Sequence, residues 1–93
     1  MRLSMSVADR ITEKLQHAFA PIELQVIDQS YLHAGHSEAG AAGESHFRVV
    51  IVAAAFDGLS RLARHRAITK VLAEELAGPV HALSVEARGA AAD

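Results

Sequence analysis

Apolar residues recur at every fourth position from Val7 through Ile11 and Leu15 to Phe19, and the pattern stops at Pro21. A stripe of that period predicts an α-helix, whose 3.6-residue turn stacks positions i and i+4 on one face. Ser6 stands ahead of it as an N-cap, and Asp9 supplies negative charge to the first turn, where unpaired N–H groups and the helix dipole favour it. Beyond Pro21 the period changes to two. Ile22, Leu24 and Val26 alternate with Glu23, Gln25 and, less cleanly, Ile27, which predicts a half-buried strand. The period returns in "HFRVVIVAAA", with Phe47, Val49 and Ile51 on one face and Arg48, Val50 and Val52 on the other. Two strands in succession with no helix between them are most simply antiparallel.

Between them lies "SYLHAGHSEAGAAGESHF", residues 30–47, with Gly35, Gly40 and Gly43 and no apolar period. It reads as a loop far longer than a hairpin needs, and loops of that length are usually functional or disordered. After the second strand, Asp57-Gly58 signals a turn and Ser60 can cap a new helix. Residues 61–76 then read as the longest helix. At about 100° per residue, Leu62, Ile68, Val71, Leu72 and Leu76 share one face, with His65 inside it, and Arg66, Lys70 and Glu74 share the opposite one. Gly78-Pro79 stops that helix, "VHALSVEA" gives a last short strand, and "RGAAAD" reads as a tail.

The order helix, strand, strand, helix, strand predicts a small α+β fold. The crossover through the long helix favours a parallel pairing of the second and third strands. The expectation is one domain over residues 1–93, with a three-stranded mixed sheet, two helices packed on one face, and flexible ends at 1–5 and 88–93. The chain has no cysteine, which excludes disulfides and cysteine-rich zinc sites. Its hydrophobic fraction is 51%, but much of that is alanine and aromatics are only 4%, so Leu, Ile and Val must build a modest core.

A net charge of −2 does not steer the whole molecule toward nucleic acid or anionic membrane. No apolar run approaches the roughly 18 to 20 residues needed to span a bilayer. "MRLSMSVADR" lacks the apolar centre of a secretory signal, and Met5 could be the natural start. A cytoplasmic protein is expected.

The candidate chemistry is concentrated in histidines and arginines. His65 reads as a packed histidine, His17 as a cation near a helix end, and His46 as a strand-edge residue. His81 differs, because it stands just after a helix stop at the entry to a strand, where a rigid element can hold an accessible ring. His33 and His36, three apart in the loop, permit metal binding without demanding it. Ser30 and the Ser45-His46 pair place hydroxyls near an imidazole, but there is no nucleophile elbow and no phosphate-cradling loop with a lysine, so no catalysis and no small-molecule substrate are expected. Arg61, Arg64 and Arg66, with Lys70 a turn on, form a basic stretch suited to phosphates, or a solvated face offset by Glu74 and Glu75.

Taken together, "DQSYLHAGH", "GESHFRVVIV", "FDGLSRLARHRAITKVLAEEL" and "VHALSV", in that order, closely resemble the BolA family. The resemblance covers the chain from about residue 7 to 85, and its departure is the long alanine-rich loop. It implies an α+β fold of class II KH-like topology. It also implies a monothiol glutaredoxin as partner and a shared [2Fe–2S] cluster, with one thiolate from the glutaredoxin and a second from glutathione. On this side the resemblance implies His81 of "VHAL" as a ligand, joined by a loop histidine, His33 or in competition His36.

The chemistry permits this. Four thiolates normally hold such a cluster, but two imidazoles can serve one iron when a partner brings the sulfur ligands. No cluster would be bound tightly by this chain alone. The expected role is thus non-enzymatic, in iron–sulfur trafficking or iron regulation. Other family members are described as DNA-binding transcriptional regulators in morphology and stress responses. The alternative is therefore DNA binding through Arg61, Arg64, Arg66 and Lys70.

Overall fold

A computed structural model describes residues 5–29 and 45–91. Helix α1, Val7–Phe19, opens as the sequence predicts, with Ser6 Oγ accepting from the Asp9 N–H at 3.0 Å. It closes at Ala20, whose left-handed backbone (φ 46°) lets its N–H return to the Gln16 carbonyl just before Pro21. Strand β1, Glu23–Asp28, and strand β2, His46–Ala53, pair antiparallel with Leu24 opposite Ile51 and Val26 opposite Val49. A single 3-10 turn, Ala54–Phe56, and the Asp57-Gly58 turn come next, with Gly58 at φ 77°, a conformation that favours glycine. Helix α2, Arg61–Val71, is capped by Ser60 Oγ, which accepts from the Ala63 N–H at 3.1 Å. Helix α3, Ala73–Ala77, leads through Gly78-Pro79 to strand β3, Ala82–Gly89.

The sheet order is β1-β2-β3, with β2 central, antiparallel to β1 and parallel to β3. Strand alternation decides which face is covered. Phe47, Val49, Ile51 and Ala53 are buried, while Arg48, Val50 and Val52 between them are half-exposed. The buried face meets Val7, Ile11 and Leu15 from α1 and Ile68 from α2, closed off by Leu72, Phe56 and Val80. Phe19 and Phe56 meet at a ring separation of 4.8 Å, joining the end of α1 to the turn after β2. This is the α+β architecture that the element order predicts.

Four sequence expectations are corrected. Residues 61–76 do not form one helix: the backbone breaks at Leu72 (φ −99°, ψ 19°), leaving α1 longer than α2. Leu62 and His65 do not share the buried face, since Leu62 is 57% exposed and His65 is exposed. Angular counting assumes that a stripe is covered along its whole length, whereas here the core reaches only Ile68 and Leu72 in the later turns. Ile22 precedes β1 and is 73% exposed, because only its N–H joins the sheet, donating to the Val52 carbonyl. Strand β3 continues through Arg88 and Gly89, which the sequence assigns to the tail; both pair with the end of β2, and Gly89 is buried.

Glu74 and Glu75 do not supply the offset that one of the two readings of the basic stretch required. Glu74 and Glu75 turn away from Arg61, Arg66 and Lys70 and toward α1. Lys14 Nζ donates to Glu74 at 2.7 Å and to Glu75 at 2.9–3.0 Å, and Arg10 lies 4.0 Å from Glu75. Glu75 has a nearly fully buried side chain, so this ion pair clasps α3 to α1. The paired charges hold the Glu74 carboxyl below the ordinary carboxylate range and raise the Lys14 ammonium, in each case mainly through their mutual hydrogen bond.

Candidate metal-ligand site at the sheet end

The parallel register of β2 and β3 brings the starts of both strands to one end of the sheet, with His46 opposite Ala82. Ser45, one residue ahead of β2, is 3% exposed and works in two directions. Its carbonyl accepts from the N–H of His81 at 2.7 Å and of Ala82 at 3.2 Å, tying down the backbone where β3 begins. Its hydroxyl lies 2.8 Å from Nδ1 of His46. The rings of His46 and His81 lie nearly parallel, 18° apart in plane, with centroids separated by 6.3 Å. His81 is exposed and His46 half-buried, so one ring is held near the protein surface and the other is fixed beside it.

Of the sequence-predicted metal candidates, His81 therefore stands where expected, on an accessible ring at the entry to a strand. His33 and His36 lie outside the described residues. His17 is exposed in the last turn of α1. His46 opens β2, as the sequence predicts, and the strand register adds what the sequence did not show, its ring beside that of His81. Among the described residues no group of three or more His, Asp or Glu comes together.

The arginines assemble differently. Arg61, Arg66 and Lys70 are exposed along α2. Arg64 is committed to the fold: its Nε donates to the Leu59 carbonyl at 3.0 Å and its Nη1 to the Ala87 carbonyl at 3.2 Å, pinning the start of α2 to β3. An open groove of about 1230 Å³ runs between them, with Arg48, Arg61, Arg64 and Arg88 in its walls. Glu86 also lines it, pairing with Arg48 at 2.9 Å and Arg88 at 2.8 Å. Those guanidiniums, Arg88 foremost, hold the Glu86 carboxyl below its usual range.

Comparison with known proteins decides the family. The BolA family, described as "BolA-like protein", matches residues 15–91. The chain belongs to the BolA family. An uncharacterised protein from the cobS 5′ region of Sinorhizobium sp. is 51% identical over 83 residues, 88% of this chain and 89% of its own. The DNA-binding transcriptional regulator BolA of Escherichia coli K12 is 48% identical over 81 residues, 87% of this chain and 73% of that one. Among solved structures, the BolA domain of SufE1 from Arabidopsis thaliana superposes with a TM-score of 0.83 at 45% identity, covering 96% of this chain and 98% of that one. Some relatives are longer: this chain spans 54% of BolA-like protein 1 of Pongo abelii and 22% of SufE-like protein 1 of Arabidopsis. Among the described residues no helix is long and apolar enough to cross a membrane.

Proposed function

We propose that this BolA-family chain pairs with a monothiol glutaredoxin and contributes imidazole ligation to a shared [2Fe–2S] cluster, in iron–sulfur trafficking or iron regulation. The observation that carries the reading is His81: an exposed residue on a backbone anchored by the Ser45 carbonyl, at the end of the sheet where β2 and β3 begin. The donor chemistry fits. A chain without cysteine can supply nitrogen ligands but not the thiolates such clusters mostly use, so a thiol-bearing partner with glutathione completes the set. When bound, the cluster would supply one-electron and cluster-transfer chemistry. The role of this chain is to present imidazole nitrogen as a ligand. His81 is the first ligand, and His33 and His36 are the loop candidates.

The test is visible absorption and circular dichroism of a reconstituted [2Fe–2S] glutaredoxin with glutathione, as this protein is titrated in. The expected result is a saturable spectral change at one-to-one stoichiometry that His81→Ala abolishes. An unchanged spectrum would refute the ligand role.

A second reading, DNA binding as a transcriptional regulator, draws on two observations: the name of the E. coli relative and the arginine-lined groove beside α2. Phosphate contacts by Arg61 and Arg66 would make affinity fall with salt. Replacing both by alanine should flatten the log–log salt dependence by about 0.9 per lost contact. Binding in a gel-shift titration that does not depend on salt, or no binding at all, counts against it. His81→Ala leaves DNA affinity intact under this reading.

A further inference from the structure

We infer that the outer edge of β3, where it borders α2, is a docking site for an extended acidic segment of a protein partner, which joins the sheet there as a fourth strand. The inference is independent of the cluster and DNA readings and needs neither metal nor nucleic acid. Its first support is strand register. Main-chain N–H and C=O groups of successive strand residues point alternately to the two sides of the strand. The Ala82 N–H donates inward to the Ser45 carbonyl ahead of β2, whereas the Ala87 carbonyl accepts from Arg64 Nη1 outside the sheet, at 3.2 Å in each case. Ser84 and Glu86 therefore turn their main-chain groups toward β2, and Leu83, Val85 and Ala87 turn theirs outward. β3 ends the sheet order, so among the described residues no strand pairs with that edge. An edge of this kind is a template for a further strand.

The second support is the charge around that edge. The open groove of about 1230 Å³ runs along β3 from Ser84 to Arg88, with the start of α2 as its other wall. Its walls carry the arginines Arg48, Arg61, Arg64 and Arg88 against a single carboxylate, Glu86. Arg48 and Arg88 both pair with that carboxylate, so on the uncovered face of the sheet one negative charge meets two positive ones. Arg61 adds another positive charge from the exposed side of α2. Such walls complement carboxylates, which a guanidinium can grip with two parallel N–H bonds.

The third support is a pair of exposed leucines on the α2 side of the same groove: Leu59 is 40% and Leu62 57% exposed. A strand added to β3 alternates its side chains between the two faces of the sheet. One set lies toward Leu59 and Leu62, and the other toward Arg48 and Arg88. The fitting occupant therefore alternates apolar and acidic residues. A nucleic-acid duplex fits less of the groove, since its phosphates would meet the guanidiniums but leave the leucines and the outward amides unused.

The test titrates the full chain, labelled with nitrogen-15, with a short capped peptide of alternating glutamate and valine, followed by NMR of the backbone amides. The expected result is that the Val85 and Ala87 amides shift together and saturably, and exchange with solvent about tenfold more slowly in the complex. The same peptide N-methylated at the amides that face β3 keeps its charges and side chains and binds about tenfold more weakly. Both comparisons use the unaltered protein. Leu62→Ser, at an exposed position, weakens peptide binding by about threefold, and Arg61→Ala weakens it and reduces its dependence on salt. The spectra report folding of each variant directly.

Equal binding of the N-methylated and parent peptides would overturn the inference, because charge alone would then account for the affinity. So would shifts that bypass Val85 and Ala87, or the absence of any saturable shift at millimolar peptide. A duplex oligonucleotide that shifts Val85 and Ala87 while the peptide does not would assign the groove to nucleic acid instead.

Discussion

Ile22 and Ile51 carry the same side chain, and sequence alternation assigns both to buried strand faces, yet substitution of each by alanine should have very different consequences. Ile51 is 0% exposed in the central strand, with Leu24 and Ala87 in register on either side. Truncation there removes three carbons from contact with the core. Transfer alone costs about 2.4 kcal/mol at about 0.8 kcal/mol per buried methylene. The cavity left between two fixed neighbouring strands brings the loss to about 3–4 kcal/mol. For a domain of this size each kcal/mol lowers the melting midpoint by about 4–8 °C, so Ile51→Ala should melt at least about 12 °C below the parent.

Ile22 is 73% exposed, and its contribution to the sheet is a main-chain N–H that alanine retains. Ile22→Ala should stay within about 0.5 kcal/mol. The assay is thermal and urea unfolding of both variants, monitored by far-ultraviolet circular dichroism. Equal losses at the two positions, or a loss below about 1 kcal/mol at Ile51, would refute the assignment of the helix-covered sheet face as the core.

Ser60→Ala removes the hydroxyl that accepts from the Ala63 N–H and should cost about 1 kcal/mol, read as a lower urea midpoint with an unchanged slope. Glu86 and Glu74 both have depressed carboxyl values, so their stabilising contribution is present above the ordinary value of 4.5 and is lost as pH falls through the lower folded-state value. Urea midpoints of parent and Glu86→Gln should therefore differ at pH 7 and converge in acid below about pH 4.5; a difference that grows in acid would contradict the pairing. Lys14→Met leaves the buried Glu75 carboxylate with Arg10, at 4.0 Å, in place of its closer lysine, and should destabilise the fold more than Lys70→Met on the exposed face of α2. Replacing Lys14 and Glu75 together by apolar residues should recover much of that loss in a double-mutant comparison of unfolding midpoints.

Local chemistry was legible wherever it is decided by a few adjacent residues. Ser6 and Ser60 cap helices because their hydroxyls reach N–H groups three residues on, whatever the rest of the chain does. Pro21 and the Asp57-Gly58 turn punctuate the chain through their own backbone limits. The alternation in β2 is legible for a related reason: a central strand covered on one face must bury every second side chain. His81 could be singled out because a helix stop followed by a strand start is itself a local signal.

Coverage, by contrast, belongs to the assembled molecule. Periodicity could not tell that the core reaches Ile68 but stops short of Leu62, nor that Glu74 and Glu75 would meet Lys14 from a helix 60 residues away rather than the arginines nearby. It also gave no reason to pair His46 with His81. Hydrophobic period, caps and turn residues act over a few positions, so the chain alone determines the type and order of its main elements and its lack of thiol ligands, but not where each of them breaks or ends. Strand register and helix docking act between distant segments, and they alone decide that Ser45 meets the His46 ring through its hydroxyl and the His81 backbone through its carbonyl at one end of the sheet.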